Sequence, residues 1–334
     1  MFEFLGISLL LAALLTFNSF ASMVTAALWR LLGRTTRGYS ATARARLLFS
    51  LRVVPALLAI LVVMFLLVPS YLAYEPRHTD ENVSFKLGLL ALLSAIGLSL
   101  AIGRGVAAWR ATARLTADWM RHGERITLEG IAIATYRIEH AFPVIAIVGI
   151  WRPRLFVARQ ILDLLTPEEI AAAVAHENSH LAARDNLKRG LLRACRDALL
   201  MIPSGRSLDR AWSEAAEEAA DEGAARGGLV VALDLASALV KIARNIPSGG
   251  RPTMPAGVFL VGDVEEAGGI RIRVGRLMEL AACGSSTSAQ ETSPNLFVWI
   301  GSTLLLSVLV FIVNAPAVYS GVHALIERVV FVLR

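Results

Sequence analysis

Four stretches without a charged side chain constrain this chain more than any other feature: Phe4 to Trp29, Val53 to Tyr74, Leu87 to Gly103 and Thr292 to Ile326. A helix needs roughly 20 apolar residues to cross a bilayer core, with ~17 as the lower limit. The first, second and fourth runs meet this. The third is short, but Lys86 and Arg104 stand at its ends and can snorkel to the interface. With 55% hydrophobic residues in 334, the chain is too apolar for an ordinary soluble domain. Four membrane spans follow. The first is a retained span and not a cleaved leader, because Glu3 stands where a signal peptide carries positive charge and the apolar run is too long.

Charge sets the orientation. Arg30, Arg34, Arg37, Arg44, Arg46 and Arg52 lie around the first connection with no acidic residue among them, whereas Glu75, Asp80 and Glu81 outnumber Arg77 in the second. Arg104, Arg110, Arg114 and Arg121 follow the third run. The positive-inside rule then predicts an outer N-terminus and a cytoplasmic segment from about Ala111 to Pro294. Membrane topology accounts for the formal charge of +6, and no compact basic motif with interleaved aromatics points to direct nucleic-acid binding. The expected domains are a three-span region over 1–109, a cytoplasmic domain over 110–293, and a fourth span with a short outer tail, GVHALIERVVFVLR, over 294–334. Cys195 and Cys283 have neither CxxC spacing nor an oxidising compartment, and read as inert thiols.

Within the cytoplasmic segment, 111–123 continues as a helix. The β-branched runs between Ile126 and Arg159, broken at Pro143, Gly149 and Pro153, predict a small sheet of three short strands. Thr166, Pro167 and Glu169 form a capping box that opens a long helix over 167–202, interrupted by nothing stronger than Gly190. A second helix over 208–225 ends at Gly227-Gly228, and 229–246 is a core helix. PSGGRPTMPAG is a loop and GSSTSAQETSP a linker. The fold class is mainly α, of α+β type.

The chemistry lies on the first of these helices. In AAAVAHENSHLAARDN, His176 and His180 are one turn apart and share a face, so both imidazoles can address one metal ion. Glu177 is rotated by roughly 100° and can reach a water on that metal without ligating it. A catalytic zinc needs a third protein ligand. The helix after Pro203 offers Glu217, four residues before Asp221, with Glu214 and Glu218 as competing candidates. Asp221 would sit behind a histidine and fix its tautomer. His140, before Phe142-Pro143, is a candidate substrate contact.

This order of parts resembles the BlaR/MecR-type integral-membrane metallopeptidases, gluzincins related to antirepressors, over nearly the whole chain. FPVIAIVGIWRPRLFVA resembles their strand segment, AAAVAHENSHLAARDNL their HExxH helix and EEAADEGA their ExxxD helix. The resemblance implies that His176, His180 and Glu217 bind Zn2+, that Glu177 is the general base, and that Asp221 orients a ligand. Asp185 would hold the helix end or a neighbouring arginine. It also implies a protein or peptide substrate, such as a winged-helix transcriptional repressor. Asn178 replaces a bulky apolar residue of the family, and Ala216 and Ala220 replace its usual Arg and Cys. No S-x-x-K occurs, so the penicillin-binding sensor of the antibiotic-sensing relatives is not expected. HtpX/Ste-type membrane proteases share both motifs, but in the HtpX type spans fall between them, and none fits between Leu181 and Ala216. The alternatives are a non-proteolytic signalling or scaffold protein with a structural or vestigial zinc site, and an HtpX-like quality-control membrane protease.

Overall fold

A computed structural model describes residues 2–33, 35–76, 83–128, 130–198, 205–246, 267–283 and 315–333. Helix α1 (Phe2–Leu32) is followed by a 3-10 turn over Thr35–Gly38. Helix α2 (Ala41–Val62) is capped by the Ser40 hydroxyl, and runs through a π turn (Val63–Leu67) into α3 (Val68–Tyr74). Ser84 caps α4 (Phe85–His122). Three helical stretches, Phe2–Leu31, Ala41–Tyr74 and Phe85–His122, are long and apolar enough to cross a membrane. Phe4, Phe20, Leu57 and Leu92 point outward from them, as lipid-facing side chains do. Inside, Leu5, Leu9, Leu67, Tyr71 and Leu87 form one apolar cluster. The Tyr71 hydroxyl donates to the Phe2 carbonyl at 2.7 Å.

Most of the expected fourth span, residues 292–314, lies outside the described residues, as do the loop and the polar linker. Pro316–Leu333 is a helix (here α11) that seats Ile326 in the cluster of Leu5, Leu67 and Leu87, while the Ser70 hydroxyl donates to the Tyr319 carbonyl at 2.8 Å. Val322 and Val330 also pack against this cluster, while Leu325, Val329, Phe331 and Val332 stay exposed.

Helix α4 has 38 residues and rises about 57 Å, nearly twice the ~30 Å of a bilayer core. Its second half therefore leaves the membrane, and Trp119 enters the core of the second half of the molecule. There the sheet has four strands where the sequence predicted three: β1 (Glu124–Ile126), β2 (Thr135–Ile138), β3 (Ile145–Val148) and β4 (Arg154–Ala158), in the order β1-β2-β4-β3. β2 and β4 are parallel and the other pairs antiparallel. β3 is thus an edge, yet all four of its residues are buried.

After α5 (Arg159–Leu164) comes α6 (Pro167–Ala183), whose capping box is present as predicted. The expected continuous helix breaks at Arg184, which adopts φ 55°, and α7 (Asp185–Ala198) starts at once. α8 (Gly205–Ala225) packs on α6 and on α2, α9 (Leu229–Arg244) is the expected core helix, and α10 (Ala267–Cys283) closes against α8 and α9. Arg44 and Arg52, counted above as topology signals, hold α2 to α8 through Glu218 and Asp209.

Candidate metal centre

Two helices build the site. α6 presents His176 and His180, both buried, with their Nε2 atoms 3.2 Å apart. α8 brings one carboxylate to that pair: the Glu217 oxygens lie 3.6 Å from each Nε2. Glu214 is exposed, and Glu218 pairs with Arg44 and Arg276, so neither competing candidate reaches the histidines. The helices can approach this closely because Gly223 faces Ser179; a Cβ at Gly223 would stand 2.4 Å from the serine Oγ.

The donor set fits a zinc ion. Bonds of roughly 2.0–2.1 Å in a tetrahedron place ligand atoms about 3.3–3.4 Å apart; the two Nε2 atoms are 3.2 Å apart, and each has a different Glu217 oxygen at 3.6 Å, Oε2 for His176 and Oε1 for His180. Two imidazole nitrogens and a carboxylate are the ligand types such an ion takes. Each histidine is also held from behind. Asp221 Oδ1 is 3.0 Å from His176 Nδ1, and Asp185 Oδ2 is 2.8 Å from His180 Nδ1. Both Nε2 atoms are thereby directed at the shared point.

Asp185 holds His180, and its other oxygen takes Lys188 at 3.1 Å; among the described residues it pairs with that lysine and not with an arginine. On an unbroken helix a residue five positions on would be turned about 140° away. The left-handed turn at Arg184 brings it back. His140 is not part of the cluster: its ring packs on Trp119 and Phe142, and its Nδ1 accepts from the Phe142 amide at 3.1 Å. Asn178 finds its reason away from the metal face, where its amide donates to the Gly130 carbonyl and ties the loop before β2 to α6. Ala216 and Ala220 are both buried, and Ala216 packs with Leu48, Leu208 and Trp212.

One residue was missed. Arg273, from α10, donates to both Asp221 oxygens at 2.8 and 2.7 Å and lies 3.0 Å from Glu217. It is buried, and its second terminal nitrogen stands 3.4 Å from His176 Nε2. The signal was legible: Ile270, Val274, Leu277 and Ala281 repeat at helical spacing, and Arg273 interrupts that apolar face.

Electrostatics follow from burial and charge together. Burial alone would lower the pKa of His180, but the Glu217 charge and the Asp185 hydrogen bond outweigh it and push it to about 10. Burial likewise opposes protonation of His176, and the bonds to Asp221 and Glu217 reverse it to a raised value. Glu217 is held well below the usual carboxylate range despite burial, by the charges of His180 and Arg273. Glu177 differs. Burial raises its pKa, with the two histidines acting against it, and its Oε2 has no hydrogen-bond partner among the described residues. A buried carboxylate with an open oxygen beside a metal-binding triad can take and return a proton. Cys195 is partly buried and its thiol is pushed up by that burial, as an inert cysteine should be.

The edge strand β3 borders this centre. The Ile147 backbone acts on the Glu177 carboxyl, lowering its pKa, and the Asn186 amide donates to the Ile147 carbonyl at 2.9 Å.

Comparison with known proteins gives one match. The family model of Peptidase family M48 matches residues 144–245, from the start of β3 to the end of α9, which is less than a third of the chain but contains His176, Glu177, His180, Glu217 and Asp221. No curated protein matches the chain. The matched segment identifies a metallopeptidase-type domain, carried on a chain with three helical stretches able to span a membrane.

Proposed function

We propose that this protein is a membrane-embedded zinc endopeptidase whose active site lies on the cytoplasmic side and cuts a regulatory protein in signal transduction. The observation that carries the reading is the convergence of His176, His180 and Glu217 with the open carboxylate of Glu177 alongside. When bound, zinc polarises the scissile carbonyl and lowers the pKa of the attacking water toward about 7. Glu177 takes that water's proton and passes it to the leaving amine, a role for which its raised pKa suits it. Asp221 and Asp185 keep the two imidazoles in the tautomer that leaves Nε2 free. The outer edge of β3 holds the peptide by strand addition, giving affinity with little sequence selectivity.

The cytoplasmic placement rests on the arginine-rich connections, and the regulatory role on the resemblance to antirepressor-type peptidases. A winged-helix repressor is the substrate this resemblance suggests. The test is a comparison of new protein N-termini between cells carrying the wild type and cells carrying Glu177→Gln. A cytoplasmic regulator cleaved only in the wild type is expected. If the cleaved proteins are instead unfolded membrane proteins without regulatory function, the protein acts in quality control and the signalling role is wrong.

A further inference from the structure

Where α4 leaves the membrane, the described residues enclose a groove of about 700 Å³ between α4, α7 and the β3–β4 turn. Its position is informative. The uncharged run of α4 ends at Gly103, and the groove's wall starts at Ala101 and Arg104, at the level where hydrocarbon gives way to headgroups. Arginines line it from three elements: Arg104 on α4, Arg152 and Arg154 at the β3–β4 turn, and Arg189, Arg193 and Arg196 on α7. No aspartate or glutamate lines it. Arg196 already pairs with Asp209 at 3.8 Å, and Arg189 lies over the Trp212 ring. Arg152 and Arg154 have no ion-pair partner among the described residues.

Two tryptophans flank this charge. Trp151 is 90% exposed and Trp109 67%. Exposed indoles at one level of a membrane protein are the usual anchors in the headgroup layer. On α4 the wall also includes Ala101, Gly105 and Ala108, and Ile102 and Val106 beside it are exposed, so the membrane-side end of the groove is apolar. The occupant has to be anionic at one end and apolar at the other.

We infer that this groove binds an anionic phospholipid, with its phosphate at Arg152 and Arg154 and its acyl chains along α4. Basic pockets at the ends of membrane helices are suited to such headgroups. The site is separate from the metal centre, and the inference rests on the membrane placement of α4 and not on peptidase activity.

The test uses the full-length protein in phosphatidylcholine nanodiscs doped at equal mole fraction with brominated phosphatidylglycerol or brominated phosphatidylcholine, followed by tryptophan quenching. Stronger quenching by the phosphatidylglycerol is expected in the wild type. Arg152→Ala/Arg154→Ala should lower the preference roughly 30-fold, about fivefold for each arginine removed from the membrane surface. If the double variant does not fold, Arg152→Ala alone, at an exposed side chain, should give the fivefold loss. Arg125→Ala, exposed on β1 away from the groove, should leave the preference intact. Equal quenching by both lipids in the wild type, or an undiminished preference in the Arg152 variants, overturns the inference. So does an equal loss in Arg125→Ala. Abolition of the preference by added inorganic phosphate would make the groove a simple anion site and also overturn the lipid assignment.

Discussion

Replacing Asp221 by asparagine separates two jobs that one carboxylate performs. Asp221 is fully buried; it takes two hydrogen bonds from Arg273 and stands 3.0 Å from His176 Nδ1. In the metal-free protein the substitution leaves the buried guanidinium short of one of its two carboxylates, with Glu217 still 3.0 Å away, so the cost is at most the about 3–5 kcal/mol of breaking a buried pair. In the metal-loaded protein His176 loses the group that fixes its tautomer, which weakens metal binding by roughly 10–100-fold. The assay is thermal unfolding in chelator, paired with zinc competition against a chromophoric chelator. Adding Arg273→Met removes the stranded cation, so Asp221→Asn/Arg273→Met should recover most of the metal-free stability. It should not recover zinc affinity, because His176 still lacks its carboxylate. If the double variant binds zinc as tightly as the wild type, Asp221 serves only as a counter-ion to Arg273, and the orienting role is wrong.

Three further outcomes follow from the same geometry. At Gly223 an alanine Cβ would meet Ser179 at 2.4 Å, so Gly223→Ala should destabilise by about 1–3 kcal/mol and loosen zinc by moving Glu217. Gly190→Ala, with open space at the site of its Cβ, should stabilise α7 by about 0.5–1 kcal/mol; equal effects from both in thermal melts would contradict the close packing of α6 on α8. The raised pKa of His180, about 10 in the absence of metal, makes zinc binding at pH 8 release close to one proton from that ring. An ordinary imidazole would release about 0.03, and buffer-dependent calorimetry reads the difference. The sign for stability is set in the same way. A pKa raised on folding stabilises fully below about 6.5, and this contribution is lost as pH rises through about 10. Metal-free protein should therefore melt lower at pH 10 than at pH 6.5, and a flat profile would show that His180 is not protonated there.

Long-period features of the sequence carried through to the structure. Three of the uncharged runs lie in helices long enough to span a membrane, because solvation of side chains over twenty residues is a large, additive signal. The metal-binding helices were legible for the related reason that positions i and i+4 share a face whatever surrounds them. What escaped the sequence depends on single dihedrals or on contacts distant in the chain. Arg184 has no glycine to announce a left-handed turn, yet that turn delivers Asp185 to His180. Arg273 lies 52 positions beyond Asp221, and only the docking of α10 joins them. Asn178 looked misplaced against an apolar motif position, because its partner is a backbone carbonyl 48 residues earlier. The packing of the tail from Gly321 onward, with Ile326 in the cluster of Leu5, Leu67 and Leu87, was likewise not legible, because it depends on helices more than 200 residues earlier.

The most direct measurement of the central claim is a paired assay of metal content and peptide cleavage on purified wild type and Glu177→Gln. The wild type should hold about one zinc per chain and cleave a denatured protein substrate. Glu177 is set beside the triad but is not one of its three ligands, so the glutamine variant should keep its zinc and lose cleavage by at least ~100-fold. Retention of both zinc and full cleavage would remove Glu177 from the chemistry and with it the peptidase mechanism drawn from this site.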